Sequence, residues 1–417
     1  MFRLVYKFVS ACISVKMICL ICLLCNSCIY SEKTVISNGI IEIDVMSSLS
    51  KNRIVNLSDI ASNIEYCMLE TDTKCFISQD MSVYCSKEYI VAIGNQTPMH
   101  DVCYVFERNT GNFIRQISNR GQGPGDYTET IDFFWDSKNE QICLFGNNKY
   151  HFYNLDGTLS HQINRFSRAM NNFIALGDLY IGYVPNYTGN LRIRIAFYDK
   201  EGTFIDSVPN YRTWKKTTSS YSISRDSWFY NINDSLYFKE VYCDTLFHIK
   251  DFTLHAKYVF NTDGLTVPYE IRSRYNLMAA LNNGGVAVDR FEKYVVILKI
   301  FEDHKYLYFT IEHRQFLYPA IYNKTNKHLH IMPPVSIPQR TGREWKVPLY
   351  GFENDLDGGL PFWPQQMISE KEMMCVYTVE ELLGLDTSKI TDAKLKNVLN
   401  SLEEDSNPVV AIVTLKD

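Results

Sequence analysis

A hairpin pattern of apolar and polar residues recurs along the middle of the chain. An apolar strand, a polar turn with glycine and a second strand follow one another in 106–117, 152–163 and 197–208. The turn glycines are Gly111, Gly157 and Gly202, spaced 46 and 45 residues apart. Tight hairpin turns favour glycine because they need a positive φ. Looser copies occupy 247–254 and 321–329. A period of about 45 residues is typical of β-propeller blades.

Each hairpin is preceded by two further strand-like runs, which gives four strands per repeat. The five hairpins define five units, and the apolar run 409–415 belongs to a sixth. We predict that 40–45 pairs with this last strand and closes the ring, which removes the open edges of the sheet. The sequence therefore predicts an all-β fold over 40–417, a six-bladed β-propeller, with a seven-bladed ring as the alternative.

Two stretches have the apolar spacing of helices instead. One begins at Pro268 and ends before a pair of glycines, as helices often do. The other has the i, i+3, i+4, i+7 spacing, carried by Leu395, Val398, Leu399 and Leu402. It is preceded by Thr378 and Glu381, which resemble a capping box. Small helical insertions are therefore expected near 267–283 and 378–403.

Residues 1–28 differ from the rest of the chain. Basic residues precede the apolar run 17–25, which has the length of a signal-peptide core and is short for a membrane span. It is followed by Asn26-Ser27-Cys28, which resembles a bacterial lipobox, although Cys25 stands where that pattern prefers an aliphatic residue. We predict a signal peptide over 1–28, lipidation at Cys28 and a linker over 29–39. A cleaved signal without lipid and a retained membrane anchor are the alternatives.

Composition agrees with a sheet protein and excludes one class of partner. Aromatic residues make up 14% of the chain, and they favour pleated sheets. The net charge is −5 without a stripe of Lys and Arg, which excludes nucleic acid. Seven cysteines beyond residue 28 form no C-x-x-C pair, so buried free thiols are favoured over a zinc site. An oxidising compartment would permit a disulfide among Cys67, Cys75, Cys85 and Cys103.

The segment 117–127, ISNRGQGPGDY, carries a resemblance to a known family. The same family pattern is met at 233–240, 354–364 and 404–412. The chain resembles the six-bladed β-propeller lipoproteins of Bacteroidetes, which are related in shape to NHL-type propellers and whose function is largely uncharacterised. The resemblance implies an exported, lipid-anchored protein of the outer membrane or periplasm. It brings no catalytic residue to this chain.

The glycine-rich segment 120–127 is the first candidate site. Backbone N–H groups of such a loop can bind an anion. The candidate ligand-binding residues here are Arg120, Gln122, Asp126 and Tyr127. Pro124 lacks an N–H, and the segment does not open a helix as a phosphate-binding loop does. A tight turn between two blades is therefore the favoured interpretation.

The segment 353–364 is the second candidate site. Asp355 and Asp357 alternate before Gly358 as in a calcium loop, but Pro364 stands where such a loop needs a bidentate Glu. A hydrogen-bonded turn is favoured over calcium, and no cofactor is expected. Trp363 would stack on a sugar or peptide if it is exposed, and it would fill the space between blades if it is buried.

Two functions of different classes remain. The favoured one is a binding or scaffold module for a glycan, a peptide or another envelope protein, because no recognised catalytic motif occurs. The alternative is a hydrolase or lyase that uses Asp126, Asp355 and Asp357 at the mouth of the channel. Convergence of Arg120, Asp126, Asp355 and Trp363 on one open face would favour a functional site, and their dispersal into turns between blades would favour a structural role.

Overall fold

Six β-sheets hold about half of the described residues in the computed structural model. The structure describes 39–416 except for 79–80, 98–99, 118–120, 122–131, 137–138, 147, 169, 216–226, 271–291 and 338–346. Each sheet has four or five strands. In five of the six pairs of neighbouring sheets the first strands contact one another, which places these strands innermost and arranges the sheets as blades around an axis. The fold is the predicted six-bladed propeller.

Blades 1 to 3 each consist of four consecutive antiparallel strands. Blade 1 contains β3 (Ser82–Cys85), β4 (Tyr89–Thr97), β5 (His100–Glu107) and β6 (Phe113–Ile117). Blade 2 contains β7 (Asp132–Asp136), β8 (Gln141–Gly146), β9 (Lys149–Asn154) and β10 (Leu159–Asn164). Blade 3 contains β11 (Asn171–Leu176), β12 (Leu179–Tyr183), β13 (Ile193–Asp199) and β14 (Phe204–Pro209).

Blades 4 and 5 each gain a fifth strand. Blade 4 contains β15 (Ser227–Ile232), β16 (Ser235–Glu240), β17 (Thr245–Lys250) and β18 (Thr253–Asn261), with β1 (Ile41–Asp44) parallel to β18. Blade 5 contains β19 (Val296–Glu302), β20 (Tyr306–His313), β21 (Phe316–Asn323) and β22 (His328–Ile331), with β23 (Val335–Ser336) beside β21.

Blade 6 closes the ring with strands from both ends of the described chain. It contains β24 (Gln366–Ser369), β25 (Glu372–Tyr377), β26 (Val409–Leu415) and β2 (Ala61–Met68). The pairing of β2 with β26 extends from Ala61 opposite Leu415 to Met68 opposite Val409.

The prediction that 40–45 is the closing strand is wrong. Only four residues of this stretch form a strand, and that strand extends blade 4. Ile40 and Ile43 pack into the cores on either side of blade 4, which accounts for their apolar character. The longer β2 is close to β26 in length, and it buries Ala61 and Ile64 against blade 5 and Cys67 against blade 1.

Short helices lie outside the blades. They are α1 (Met46–Leu49), α2 (Val379–Leu383) and α3 (Ala393–Ser401), with 3₁₀ turns at Leu57–Asp59 and Thr387–Lys389. The capping box of α2 is present, because Thr378 and Glu381 each accept the other's backbone N–H. The insertion expected near 267–283 lies largely outside the described residues. No described helix has the length and apolar character needed to cross a membrane.

The strand order gives the propeller two faces. On one, which we call the crossover face, the chain passes from one blade to the next, and the second and third strands of each blade are joined. On the other, the hairpin face, the first and second strands are joined, as are the third and fourth strands in blades 1–5. Apolar clusters fill the space between each pair of neighbouring blades. All seven cysteines beyond residue 28 are free thiols, and six are buried.

The boundary between blades 6 and 1 is held by polar contacts as well. The side-chain amide of Gln366 donates to the carbonyl of Cys85 and accepts from its N–H, both at 2.8 Å. Arg108 of blade 1 forms a two-pronged ion pair with Glu372 of blade 6, at 2.6 and 3.2 Å. The carbonyl of Gly111 accepts a hydrogen bond from the N–H of Glu70 at 2.8 Å. These contacts reinforce the closure made by β2 and β26.

Gly111 and Gly264 provide a matched test of this boundary. Both have a left-handed backbone, with φ of 75° and 76°, so alanine strains both equally, by about 1–2 kcal/mol. A Cβ at Gly111 would overlap the Met68 carbonyl, whereas one at Gly264 would meet nothing within 4 Å. We expect Gly111→Ala to lower the free energy of unfolding by at least about 2 kcal/mol more than Gly264→Ala. Equal losses in chemical denaturation would contradict this contact.

Candidate functional site

Asp355 is held by internal hydrogen bonds. Its carboxylate accepts the N–H of Ser58 at 2.9 Å and the hydroxyl of Ser58 at 2.5 Å. Burial acts to raise the pKa of Asp355, but these hydrogen bonds outweigh it, and the pKa is lowered. Since Ser58 lies in the 3₁₀ turn just before β2, Asp355 ties its loop to the start of the outermost strand of blade 6.

Asp357 is buried in the same loop, beside Tyr66 of β2. It accepts the N–H of Gly359 at 2.8 Å, and Tyr66 and Asn354 also form hydrogen bonds with it. Burial raises the pKa of Asp357 despite these bonds. A Cβ at Gly359 would crowd the polar atoms of all three side chains. The alternating acidic residues therefore take part in a hydrogen-bonded loop.

Trp363 is only 7% exposed and packs between blades 5 and 6. Its indole N–H donates to the hydroxyl of Thr310 in β20 at 3.1 Å. Asp355 and Trp363 therefore do not share an open face. The other predicted residues, Arg120, Gln122, Asp126 and Tyr127, lie outside the described residues. In the part of the chain that is described, no three His, Cys, Asp or Glu side chains are grouped to hold a metal ion.

A buried ionic cluster that the sequence did not reveal lies at the crossover face of blades 3 and 4. Glu240, at the end of β16, accepts hydrogen bonds from Arg194 of β13 at 2.9 Å and from Arg212. The side chains of Glu240 and Arg194 are almost fully buried, whereas that of Arg212 is 23% exposed. A buried ion pair is costly unless its hydrogen bonds are good, so Glu240 fixes both arginines in position.

Lys239 adds a further buried charge next to Glu240. Its ammonium donates to the carbonyl of Glu240 at 2.7 Å and to that of Cys243. Burial lowers the pKa of Lys239 to about 8. The lysine thereby satisfies carbonyls of the short turn that joins β16 to β17.

Aromatic side chains lie beside the ionic cluster and form what we call the aromatic cluster. Its members lie at the crossover face, at strand ends and in the adjoining loops: Trp214, Trp228, Tyr242, Tyr269 and Tyr294. The guanidinium of Arg212 lies 4.5 Å from the centre of the Tyr269 ring, as in a cation–π contact. Tyr242 meets Tyr269 edge-on at 5.7 Å, and Asn210 donates to the Tyr269 hydroxyl at 3.2 Å.

The aromatic cluster is suited to binding rather than to a particular reaction. Trp228 and Tyr294 are half-buried, and Tyr211, which directly precedes Arg212 in the chain, is 37% exposed. Aromatic faces beside a fixed arginine can stack on a sugar or a peptide and donate hydrogen bonds to it. Two features of the sequence indicate this cluster. The charged residues Lys239 and Glu240 end an otherwise apolar strand, and the motif Tyr211-Arg-Thr-Trp214 lies in the segment between β14 and β15.

Comparison with known proteins identifies the family. Residues 40–414 match DUF4934, a domain of unknown function. The chain belongs to this family. No curated protein matches the sequence.

Solved structures share the architecture of this DUF4934 protein. A Bacteroides fragilis protein that is predicted to be exported has a TM-score of 0.62 at 15% identity, covering 90% of this chain and 99% of its own. A DUF4221 family member from Bacteroides vulgatus has a TM-score of 0.47 at 12% identity, covering 85% and 97%. At this level of identity, the similarity to the first protein establishes a common fold.

Lys239→Met tests the buried charge through its pH dependence. An unfolded lysine titrates near pH 10.4, above the pKa of about 8 in the folded chain. Between these values the unfolded chain binds more protons, so wild-type stability rises with pH. We expect the wild type to gain about 3 kcal/mol in free energy of unfolding relative to Lys239→Met between pH 7 and 10.5. Denaturation curves whose difference stays constant with pH would refute a buried ammonium.

Proposed function

We propose that this DUF4934 protein is an exported lipoprotein whose propeller acts as a binding module for a glycan or a peptide. The signal-peptide pattern of 1–28 and the lipobox-like Asn26-Ser27-Cys28 support export and a lipid anchor. The exported character predicted for the B. fragilis protein of the same fold agrees with this proposal. We place the protein at the outer membrane or in the periplasm.

The aromatic cluster is the observation that carries the binding proposal. It combines stacking surfaces with Arg212, whose guanidinium is held on one side by buried Glu240 and on the other by the ring of Tyr269. Positions fixed in advance lower the entropy that a ligand must lose on binding. The ligand class we expect therefore has a flat apolar face next to hydrogen-bond acceptors, as sugars and peptides do.

The alternative function, a hydrolase or lyase, gains less support from the geometry. Asp355 and Asp357 accept hydrogen bonds from their own surroundings and lie beside β2, the outermost strand of blade 6. A catalytic carboxylate must reach the proton it transfers. Asp357 has the raised pKa of a general acid, but it is buried against Tyr66 and Asn354.

Lipidation is tested at Cys28. Growth of a Bacteroides expression host with an alkyne-labelled fatty acid should label the wild-type chain and leave Cys28→Ala unlabelled. Cys25→Ala is the matched control and should keep its label, because only the cysteine at the end of the lipobox-like segment is acylated. A labelled Cys28→Ala chain, or an unlabelled wild type, would refute the anchor.

Ligand binding is tested with Tyr211→Ala. The purified protein is applied to arrays of polysaccharides and peptides, and any hit is measured by calorimetry. Truncation of an aromatic contact in a binding site should weaken binding at least about tenfold. Phe204→Ala is the matched control, since Phe204 has similar exposure but lies at the other face. Equal affinities for both variants would place the binding site away from the surface next to Arg212, and turnover of a hit would favour the enzyme.

A further inference from the structure

One basic residue lies within the six strands that surround the axis of the propeller. These innermost strands are β3, β7, β11, β15, β19 and β24, and their acidic residues, Asp132, Asp136 and Glu302, all stand at strand ends. Between the strand ends, Lys299 of β19 is the single charged residue of these six strands. The other interior positions are apolar or neutral, and many are aromatic. Lys299 is therefore a cation among neutral residues around the axis.

A β-bulge sets the position of Lys299. On β19, Lys299 and Ile300 together stand opposite Phe309 of β20, where a regular sheet pairs one residue with one. Such a bulge changes the direction of the side chains around it. Ile300 is buried in the core between blades 4 and 5, whereas Lys299 is exposed. Because Lys299 lies in the middle of an innermost strand, solvent reaches its side chain from the central channel.

Lys299 also has a strained backbone. Eleven residues other than glycine have a positive φ in the described part of the chain. Ten of them lie in connections between strands, and only Lys299, with a φ of 44°, lies inside a strand. Glycine and asparagine adopt this conformation more readily than lysine does. Since the exposed side chain contributes little to packing, the fold does not require lysine here. Strained residues of this kind cluster at binding sites.

The aromatic cluster is close to Lys299 along the same strand. Val296 and Leu298 of β19 pack into one core with Trp228 and Tyr294 of the aromatic cluster. From Val296 to Lys299 the strand rises about 10 Å. A ligand that contacts the aromatic rings and extends this far along the channel would reach the ammonium of Lys299.

We propose that the ligand is an acidic glycan and that Lys299 binds one of its acidic groups inside the channel. This inference rests on the proposed binding function and names the ligand class. An ammonium is a point charge that attracts a carboxylate or a sulfate. An acidic sugar combines such a group with a flat apolar ring face that stacks on aromatic side chains. A peptide presents both only where an aromatic residue stands beside an acidic one.

The charge of the whole chain makes this contact selective. With a net charge of −5, the protein repels acidic polymers in general. An acidic glycan therefore gains electrostatic affinity where a cation faces it, as Lys299 does in the channel and Arg212 does beside the aromatic cluster. Salt screens such attraction, so the affinity should fall as ionic strength rises.

Paired polysaccharides test the charge of the ligand. Polygalacturonate and hyaluronan are compared with their methyl esters, and a sulfated galactan is compared with its desulfated form. Each pair has the same backbone and differs in charge. We expect at least one acidic polysaccharide to bind the purified protein, and to bind it at least about tenfold more tightly than its neutral counterpart. Acidic peptides are measured beside them.

Variants of Lys299 test the residue itself. Lys299→Asn removes the charge and suits the positive φ, so it should melt no lower than the wild type and weaken binding at least about tenfold. Lys299→Arg keeps the charge and should retain most of the affinity. Lys200→Asn is the matched control and should bind as the wild type does, because Lys200 is 65% exposed but lies in the hairpin between β13 and β14.

Each outcome decides one part of the proposal. If no polysaccharide and no peptide binds, the proposed binding function is refuted, and this inference with it. If a neutral polysaccharide or a peptide binds and no acidic polysaccharide does, the acidic glycan is refuted and the binding function stands. Equal affinity of an acidic polysaccharide for the wild type and for Lys299→Asn would remove Lys299 from the site. Tighter binding of an acidic peptide than of any acidic polysaccharide would overturn the glycan.

Discussion

The pairing of β2 with β26 is the interaction on which the remaining structure depends. A propeller blade buries its two sides against its neighbours, so an incomplete blade exposes apolar surface on both sides. Here three strands of blade 6 come from the C-terminal part of the chain and one from residues 61–68. Because β26 is almost entirely buried, its partner both completes a sheet and seals the clusters shared with blades 5 and 1.

Closure also explains why polar contacts gather where they do. Gln366, Arg108 and Glu372 tie blade 6 to blade 1, and Asp355 and Asp357 tie the loop before β24 to β2. These carboxylates resemble a site in the sequence, but they serve the closing blade. The buried Glu240 has a comparable role between blades 3 and 4, where it holds Arg212 against the aromatic cluster. At that place one set of contacts supports both the fold and a surface able to bind a ligand.

The parts of the fold that could be predicted from sequence are those that depend on residues close to one another in the chain. A positive φ at Gly111, Gly157 and Gly202 is a property of the turn itself. These glycines therefore mark the repeat in the sequence, and their spacing predicts the number of blades. The closing strand could not be identified, because 40–45 and 61–68 are both apolar and the choice depends on a partner more than 340 residues away. Arg194 and Glu240 come from two different strands and Arg212 from a loop, and no spacing in the sequence reveals their contact.

Hydrogen exchange followed by mass spectrometry tests the closure most directly. If β2 completes blade 6, the amides of 61–68 and 409–415 share the slowest exchange and lose protection together as denaturant rises, because neither strand opens without unfolding the ring. Residues 41–44 should exchange earlier, since β1 is a short edge strand. Early exchange of 61–68 while 409–415 stays protected would contradict the account.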